Sequence, residues 1–336
     1  MPITIGDIEL ANNVAAAPMS GVSDLPFRRA AARLGAGLVV SEMVASAELA
    51  KARPDVVKRA EGDASVFPFV VQLAGREPKW MAEGARLADA AGADIIDINM
   101  GCPSRQVTGA LSGSALMRDL DLALAIIEAT VASTSKPVTL KMRLGWDRDM
   151  MNAPELGARA IDAGVKMLTV HGRTRNQFYK GEADWRAVKP VVEVATVPVL
   201  VNGDIVDLAA AREALRQSGA DGVMIGRAAI GRPWLPGAVA DALDDGGEAA
   251  PPPLAEQAAI AIRHYRDTID HYGAPLGVRM ARKHLAAYID HAPVPLSPEL
   301  RRAARAQICT LSCPDTVEEA LARFYDRAEE ACPSAA

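Results

Sequence analysis

Residues 94–103 read Asp94-Ile95-Ile96-Asp97-Ile98-Asn99-Met100-Gly101-Cys102-Pro103. Isoleucines alternate with carboxylates as they would along a β-strand, and Asn99-Met100-Gly101-Cys102-Pro103 then stops the strand and turns the chain outward. One cysteine is thereby set on a loop at a strand end, between a glycine that permits close backbone approach and a proline that fixes the turn. A thiol so placed can exchange a proton or act as a nucleophile. A free cysteine taken alone reads more simply as a small buried hydrophobe, so the surrounding pattern has to decide.

Short apolar runs like this one recur. Val14–Ala17, Gly37–Ser41, Phe67–Leu73, Asp94–Asn99, Pro137–Arg143, Met167–His171, Pro198–Asn202 and Gly222–Gly226 make eight expected strands. Between them lie amphipathic, alanine-rich stretches, Asp24–Leu34, Pro78–Ala91, Asp119–Ser133, Asn152–Ala163, Asp184–Ala195 and Asp207–Ser218, several opened by Asp or Asn and closed near a glycine. Residues 43–66 leave room for more than one short helix. Apolar strands alternating with helices imply a parallel sheet buried on both faces, and eight units in this length fit a closed (β/α)8 TIM barrel. A doubly wound open sheet is the weaker reading, because no Gly-x-Gly-x-x-Gly follows the first strand.

The 336 residues suffice for one large core and a small second domain. Cys102, Cys309, Cys313 and Cys332 are too unevenly spaced for a disulfide framework or paired metal half-sites, which points to a reducing cytosol and no metal. No basic leader opens the chain and no run approaches the ~20 apolar residues of a membrane span, so a cytoplasmic protein without membrane contact is expected. A formal net charge of -5 argues against indiscriminate nucleic-acid binding while allowing a local basic face. A monomer is compatible with all of this.

Barrel enzymes carry their chemistry at the C-terminal ends of the strands. Those ends read Pro18-Met19-Ser20, Glu42-Met43, Gln72, Asn99 to Cys102, Lys141-Met142-Arg143, His171-Gly172-Arg173, Asn202-Gly203-Asp204 and Gly226-Arg227. A lysine or glutamine at the mouth of an otherwise apolar barrel needs water or a ligand to satisfy it. Loops after the seventh and eighth strands commonly bind phosphate; a glycine in each lets the backbone close on an anion, and Arg227 adds a charge.

The barrel is expected to span residues 1–243. The acidic, flexible, then proline-rich stretch 244–253 reads as a linker, so that cutting after Asp244 would leave a folded barrel. Residues 254–336 read as a small C-terminal helical bundle, with helices at Leu254–Tyr272, Pro275–His291, Pro298–Leu311 and Thr316–Ala331. Arg279, Arg282, Lys283 and His284 fall at spacings that share a helical face, and Arg301, Arg302 and Arg305 repeat the pattern on the next helix. Two such runs in an acidic chain point to a patch for an RNA backbone.

The motifs Ala17-Pro18-Met19-Ser20-Gly21-Val22-Ser23-Asp24-Leu25-Pro26-Phe27-Arg28, Asp97-Ile98-Asn99-Met100-Gly101-Cys102-Pro103, His171-Gly172-Arg173-Thr174-Arg175, Asn202-Gly203-Asp204-Ile205 and Ile225-Gly226-Arg227-Ala228 resemble the tRNA-dihydrouridine synthases, the bacterial B-type branch in particular. Tyr272-Gly273 and Ala281-Arg282-Lys283-His284 extend the likeness into the C-terminal part. The resemblance implies an FMN-binding barrel, reduction of the flavin by NADPH, and reduction of uridine to 5,6-dihydrouridine in the D-loop of tRNA. It implies that Pro18, Met19 and Ser20 line the flavin through their backbone; Ser20 stands where alanine or glycine is expected. Gln72 would bond the isoalloxazine edge, Lys141 would sit by its pyrimidine portion, His171 would contact the cofactor, and Asn202, Gly203, Asp204, Gly226 and Arg227 would hold the ribityl phosphate.

Cys102 would be the general acid, giving its proton to uracil C5 as hydride reaches C6, which requires the thiol and not the thiolate. A uridine in folded tRNA must be swung out to reach such a site, and Asn99, Arg143 and Arg173 carry donors and acceptors suited to its edge. Arg279, Arg282 and Lys283 would hold the RNA backbone, or else Arg105, Arg173 and Arg175 on the barrel rim. A Schiff-base role for Lys141, a flavin reductase of a free pyrimidine or other small enone, and a non-catalytic RNA-binding protein are the competing readings.

Overall fold

The computed structural model describes residues 3–104 and 111–330. A hairpin that the sequence reading did not anticipate comes first: β1 (Thr4–Ile5) and β2 (Ile8–Glu9) pair antiparallel. Nine further strands form one sheet: β3 (Val14–Ala16), β4 (Leu38–Val39), β5 (Val44–Ala45), β6 (Val70–Ala74), β7 (Ile95–Met100), β8 (Val138–Arg143), β9 (Met167–His171), β10 (Val199–Asn202) and β11 (Gly222–Ile225). Every pairing among them is parallel.

The second expected strand, residues 37–41, is present as β4, and β5, which the sequence reading did not anticipate, follows it. β4 pairs with β3, a bridge joins Val40 to Val70, and β5 pairs with β6, so residues 38–45 close the ring as a TIM barrel. The interruption has a local cause: the Ser41 hydroxyl accepts the Gln72 backbone N–H (2.9 Å) and donates to the Glu42 carbonyl (2.9 Å), replacing a rung of the ladder with a side chain. Residues 43–66 contain two short helices, Ser46–Ala50 and Pro54–Arg59.

Period two sorts the strand side chains. Val71, Leu73, Ile96, Ile98, Val138, Leu140, Leu168, Val170, Val199, Val201, Val223 and Ile225 pack outward with the helices in one core. The alternate residues Ala15, Leu38, Val70, Ile95, Met167, Leu200 and Met224 fill the barrel axis together with Ile3, Ile5 and Leu10 from the hairpin. One step further along the same inward rows the chemistry changes to Gln72, Asp97, Thr139, Thr169 and Asn202, all buried. The barrel therefore has an apolar, hairpin-plugged floor and a polar upper layer.

Four helices follow: Leu254–Tyr272, Ala274–His291, Pro298–Thr310 and Pro314–Glu330. They share a second core that includes Val278, Leu285, Tyr288, Val317 and Leu321 and also recruits Trp234 from the barrel side. The preceding helix runs Leu235–Asp245, so the expected linker 244–253 begins inside it. The seam is polar as well as apolar: the Tyr272 hydroxyl donates to Asp24 (3.2 Å) and Arg33 pairs with Asp267 (3.3 Å). Phe27, 1% exposed, stacks on His284 at 5.8 Å. Among the described residues no helix is long and apolar enough to cross a membrane.

Candidate active site

The strand register sets Gln72 beside Asp97 and Asn99 beside Lys141 at the C-terminal end of the barrel. Asp97 is fully enclosed, and its carboxylate accepts from Thr139 Oγ1 (2.6 Å) and Gln72 Nε2 (2.7 Å). Burial pushes its carboxyl up to about 6, against the pull of those two hydrogen bonds. A carboxylate offers acceptors alone. Gln72 must therefore turn its nitrogen to Asp97 and its oxygen to Asn99, which donates from Nδ2 (2.7 Å). That leaves Asn99 Oδ1 to accept the backbone N–H groups of Gly101 (3.2 Å) and Cys102 (3.0 Å). Asp97 thus orients two amides in series and, through them, the turn that carries the thiol.

Cys102 is partly exposed. Its carbonyl accepts from the Ser114 N–H (3.1 Å) and hydroxyl (2.9 Å), which pins the turn from the other side. Burial pushes the thiol up from its ordinary value, and the Arg143 and Lys141 charges only partly oppose this, so the group is a thiol at neutral pH. A Cβ at Gly101 would meet only ordinary contacts, 3.5 Å from the Met142 carbonyl carbon, so protein packing does not demand that glycine.

Lys141 donates to Asn202 Oδ1 (3.0 Å), and Asn202 donates to the Met224 carbonyl (2.8 Å). An ammonium has three N–H groups, and among the described residues the other two of Lys141 find no protein acceptor. Burial pulls this lysine down to about 8, with the Asp97 carboxylate resisting. His171, opposite Arg143 and Asn202 in the register, is held well below its ordinary range by burial and by the Arg143 and Lys141 charges, hence neutral. Its Nε2 lies 3.3 Å from the Arg173 guanidinium, which only donates, so the ring proton belongs on Nδ1.

The residues expected to read uracil hold loops in this structure. Arg143, 1% exposed, donates to the carbonyls of Gly101 (2.8 Å), Thr174 (2.9 Å) and Phe178 (2.9 Å). Arg173, 2% exposed, donates to Asp204 Oδ1 (3.0 Å) and to the Gly181 carbonyl (2.6 Å). The Arg175 guanidinium lies 4.7 Å over the Trp146 ring. Arg105 lies outside the described residues.

Asp204, expected among the phosphate ligands, is instead the ion-pair partner of Arg173. Partial burial pushes its carboxyl up, but the Arg173 hydrogen bond prevails and holds it below the usual range. It also stands 3.5 Å from Arg227, which is 64% exposed at the rim. The two glycines of these loops differ. Gly203 has φ +117 and a Cβ there would come within 2.8 Å of the His171 ring, so the fold itself requires glycine. At Gly226 a Cβ would meet nothing nearer than Ala17 Cβ at 3.9 Å. The protein leaves that space open.

In the first loop the Met19 N–H donates to Ser23 Oγ (2.9 Å), while Pro18 is half-buried and Ser20 exposed. The Gly21 N–H donates to the Glu42 carboxylate. Glu42, 5% exposed, went unnoticed as a functional candidate in the sequence because a single Glu after a broken strand carries no pattern. Asp97 was missed for a different reason, since strand alternation accounts for it without a role; the signal available was that its row otherwise points into the barrel.

Of the basic residues on the bundle, Arg279 and Arg282 are exposed, whereas Lys283 is half-buried against the first loop, drawn towards Asp24 and Glu42. His284 does not belong to that face: it is 3% exposed and packs inside. Nor is the second run a free patch. Arg301 donates to the carbonyls of Ile289 (2.5 Å), Ala292 (2.9 Å) and Val294 (2.9 Å), Arg302 pairs with Glu299 (3.0 Å), and Arg305 with Asp290 (2.8 Å). A cleft of about 490 Å³ lined by Arg212, Arg232, Trp234, Glu248 and Pro251 shares no residue with the mouth.

Comparison with known proteins agrees with this geometry. A family model described as dihydrouridine synthase matches residues 15–323. A probable tRNA-dihydrouridine synthase of Rhodobacter capsulatus is 53% identical over 304 residues, covering 90% of this chain and 94% of the relative. A tRNA-dihydrouridine synthase B of Xanthomonas axonopodis pv. citri is 46% identical over 288 residues, covering 85% and 87%. Among solved structures, morphinone reductase superposes with a TM-score of 0.53 at 15% identity, over 76% of this chain and 91% of that one, a likeness of fold alone.

Proposed function

The chain belongs to the dihydrouridine synthase family, and on that premise we propose that it reduces uridine to 5,6-dihydrouridine in the D-loop of tRNA, with FMN as its cofactor and NADPH as electron donor. The observation that carries this reading is a protonated thiol, Cys102, on a doubly anchored turn at the same barrel mouth as the under-partnered Lys141 ammonium.

The mouth suits a flavin. The open space at Gly226, with Asn202, Gly203 and Arg227 beside it, is a cradle for one phosphate, and the chain has no dinucleotide fingerprint for a second moiety. Asp204 serves the cradle through Arg173 and Arg227, because a carboxylate set against a phosphate would repel it. Lys141 has two N–H groups to offer the ring, Gln72 retains amide capacity beyond its bonds to Asp97 and Asn99, the neutral His171 adds a contact, and the backbone of Pro18, Met19 and Ser20 forms one wall. Bound there, the flavin supplies hydride to uracil C6.

The protein's own part is proton delivery and charge control. Cys102 gives its proton to C5, and the Arg143 and Lys141 charges stabilise the thiolate left behind until solvent reprotonates it. Asn99, Arg143 and Arg173 shape the uracil pocket through the loops they hold, with Arg175 on the rim. Swinging the uridine out costs a few kcal/mol, which phosphate contacts offset; Arg279 and Arg282 are the exposed cations of the bundle placed to make them, with Lys283 beneath them at the seam. We assign residues 1–243 to catalysis and 254–336 to RNA, in the cytoplasm where tRNA is.

Mapping dihydrouridine across the tRNAs of a strain lacking this protein, then adding purified protein and NADPH to those tRNAs, tests the reading. Specific D-loop sites should be lost and restored. An unchanged map, or free uridine reduced as fast as tRNA, overturns it. Mass spectrometry of the released cofactor should find FMN; FAD, or none after reconstitution, overturns the cradle.

A further inference from the structure

Asp24, His264 and His284 meet at the seam between barrel and bundle. Asp24 is the N-cap of the helix Leu25–Arg33, and the two histidines come from the two bundle helices packed against it. Each offers one ligand atom, and the three atoms lie within 4.8 Å of one another. All three residues are buried, at 3%, 2% and 3% exposure. Among the described residues His264 Nε2 and both ring nitrogens of His284 have no hydrogen-bond partner, an expensive arrangement for enclosed polar atoms. The adjoining void, lined by His264, Thr268, His284 and Tyr288, has no room for a water-sized sphere.

We propose that Asp24, His264 and His284 bind a divalent transition-metal ion, zinc by the character of the donors, which staples the first barrel helix to the C-terminal bundle. Two imidazoles and a carboxylate are a zinc donor set, and four oxygen and nitrogen ligands at ~2.1 Å from the ion stand ~3.4 Å apart, so each side chain need move by about 1 Å or less. Neutral imidazoles and a carboxylate bind without releasing a proton. The second oxygen of Asp24 can approach the ion as the longer arm of a bidentate carboxylate, which distorts the tetrahedron. His264 is already oriented for this: its Nδ1 lies 3.0 Å from the Tyr288 hydroxyl, which leaves Nε2 as the ligand, the arrangement by which metal-binding histidines are fixed from behind. Asp24 is held likewise, by the Phe27 N–H (3.1 Å) and the Tyr272 hydroxyl (3.2 Å). The cysteine spacings gave no hint of this site, because it uses no cysteine and its carboxylate lies more than two hundred residues of chain before its two histidines.

The full-length protein, equilibrated with zinc and then dialysed, should retain one equivalent by plasma mass spectrometry and melt higher than after chelator treatment. Cobalt added to the stripped protein should produce the ligand-field bands of a four-coordinate ion, to the red of any flavin absorption. His264→Asn deletes Nε2 while keeping a polar atom near the Nδ1 position, and His284→Leu deletes both ring nitrogens; their double variant should lose both the equivalent and the bands. Zinc washing out of the wild-type protein, with no cobalt bands, overturns the proposal whether or not the variants fold. So does metal that persists at one equivalent in a folded double variant, since it then sits elsewhere.

Discussion

Asp97 governs the orientation of groups it does not touch. Replacing it by Asn removes the acceptor-only group at the root of the series, so that Gln72 and Asn99 can each turn over and the N–H groups of Gly101 and Cys102 lose their common acceptor. Asp97→Asn should therefore slow dihydrouridine formation about tenfold or more while flavin reduction by NADPH stays near normal, as single-turnover kinetics would register; equal loss in both half-reactions would reduce Asp97 to a packing residue. Cys102→Ala should bind and reduce the cofactor normally yet form dihydrouridine about 10²-fold more slowly, as befits a lost general acid, and a normal rate would mean that another group delivers the proton. Lys141 gives a pH signature. Its folded value of about 8 means that the cation is present below that pH and lost above it, so the rate should fall on the alkaline side of pH 8, and Lys141→Arg should carry the fall to higher pH. Cys102 and Lys141 were legible in the sequence because a thiol or an ammonium at the end of an apolar strand is conspicuous. Asp97 and Glu42 were not, because carboxylates in alternation or in a loop are what solvent-facing positions also contain.

The helix Ala274–His291 shows how charge on an element divides between structure and recognition. Arg301 gathers the Ile289 carbonyl of its last turn and the Ala292 and Val294 carbonyls just beyond it, which it shares with the backbone N–H groups of Val294 and Leu296. Arg301→Ala should lower stability by about 1–3 kcal/mol, as the loss of hydrogen bonds from a charged donor does, with tRNA affinity otherwise unchanged; equilibrium denaturation beside filter binding separates the two. Arg279→Ala with Arg282→Ala should do the reverse, leaving the melt alone and flattening the slope of log affinity against log salt by about 0.7–0.9 per lost phosphate contact. An unaltered slope would move the RNA to the rim around Arg175. Spacing along a helix shows which residues can share a face; it does not show which neighbour takes them up, and that is why Arg301, Arg305 and His284 looked like members of one patch. Strands were read better than their ends for a related reason: the apolar run marks residues 37–41 as strand, but the Ser41 hydroxyl that ends the ladder acts on Gln72 in another strand.

At the scale of the molecule, the acidic, proline-rich connector suggests two independent parts, while the seam packs side chains of both against each other. Phe27 and Trp234 are covered by the bundle, Leu34 packs on its core, and a Cβ at Gly231 would come within 2.4 Å of the Ala287 backbone. A chain cut after Asp245 should therefore expose these residues and aggregate or melt well below the intact protein, and Phe27→Ala in the full chain should cost about 3–5 kcal/mol; a cut form as stable as the whole would make the seam incidental. A linker sequence describes the covalent connection and says nothing of what faces across it. The floor of the barrel has its own consequence. Ile3, Ile5 and Leu10 close the axis from below, so on the proposed chemistry a nicotinamide donor and an extruded uridine would both come to the cofactor from above, onto one small area. They must take turns. Initial-rate plots with both substrates varied should give parallel lines, NADP⁺ leaving before RNA enters, and excess NADPH should compete with tRNA; lines that intersect would mean that the mouth is wide enough to hold both at once.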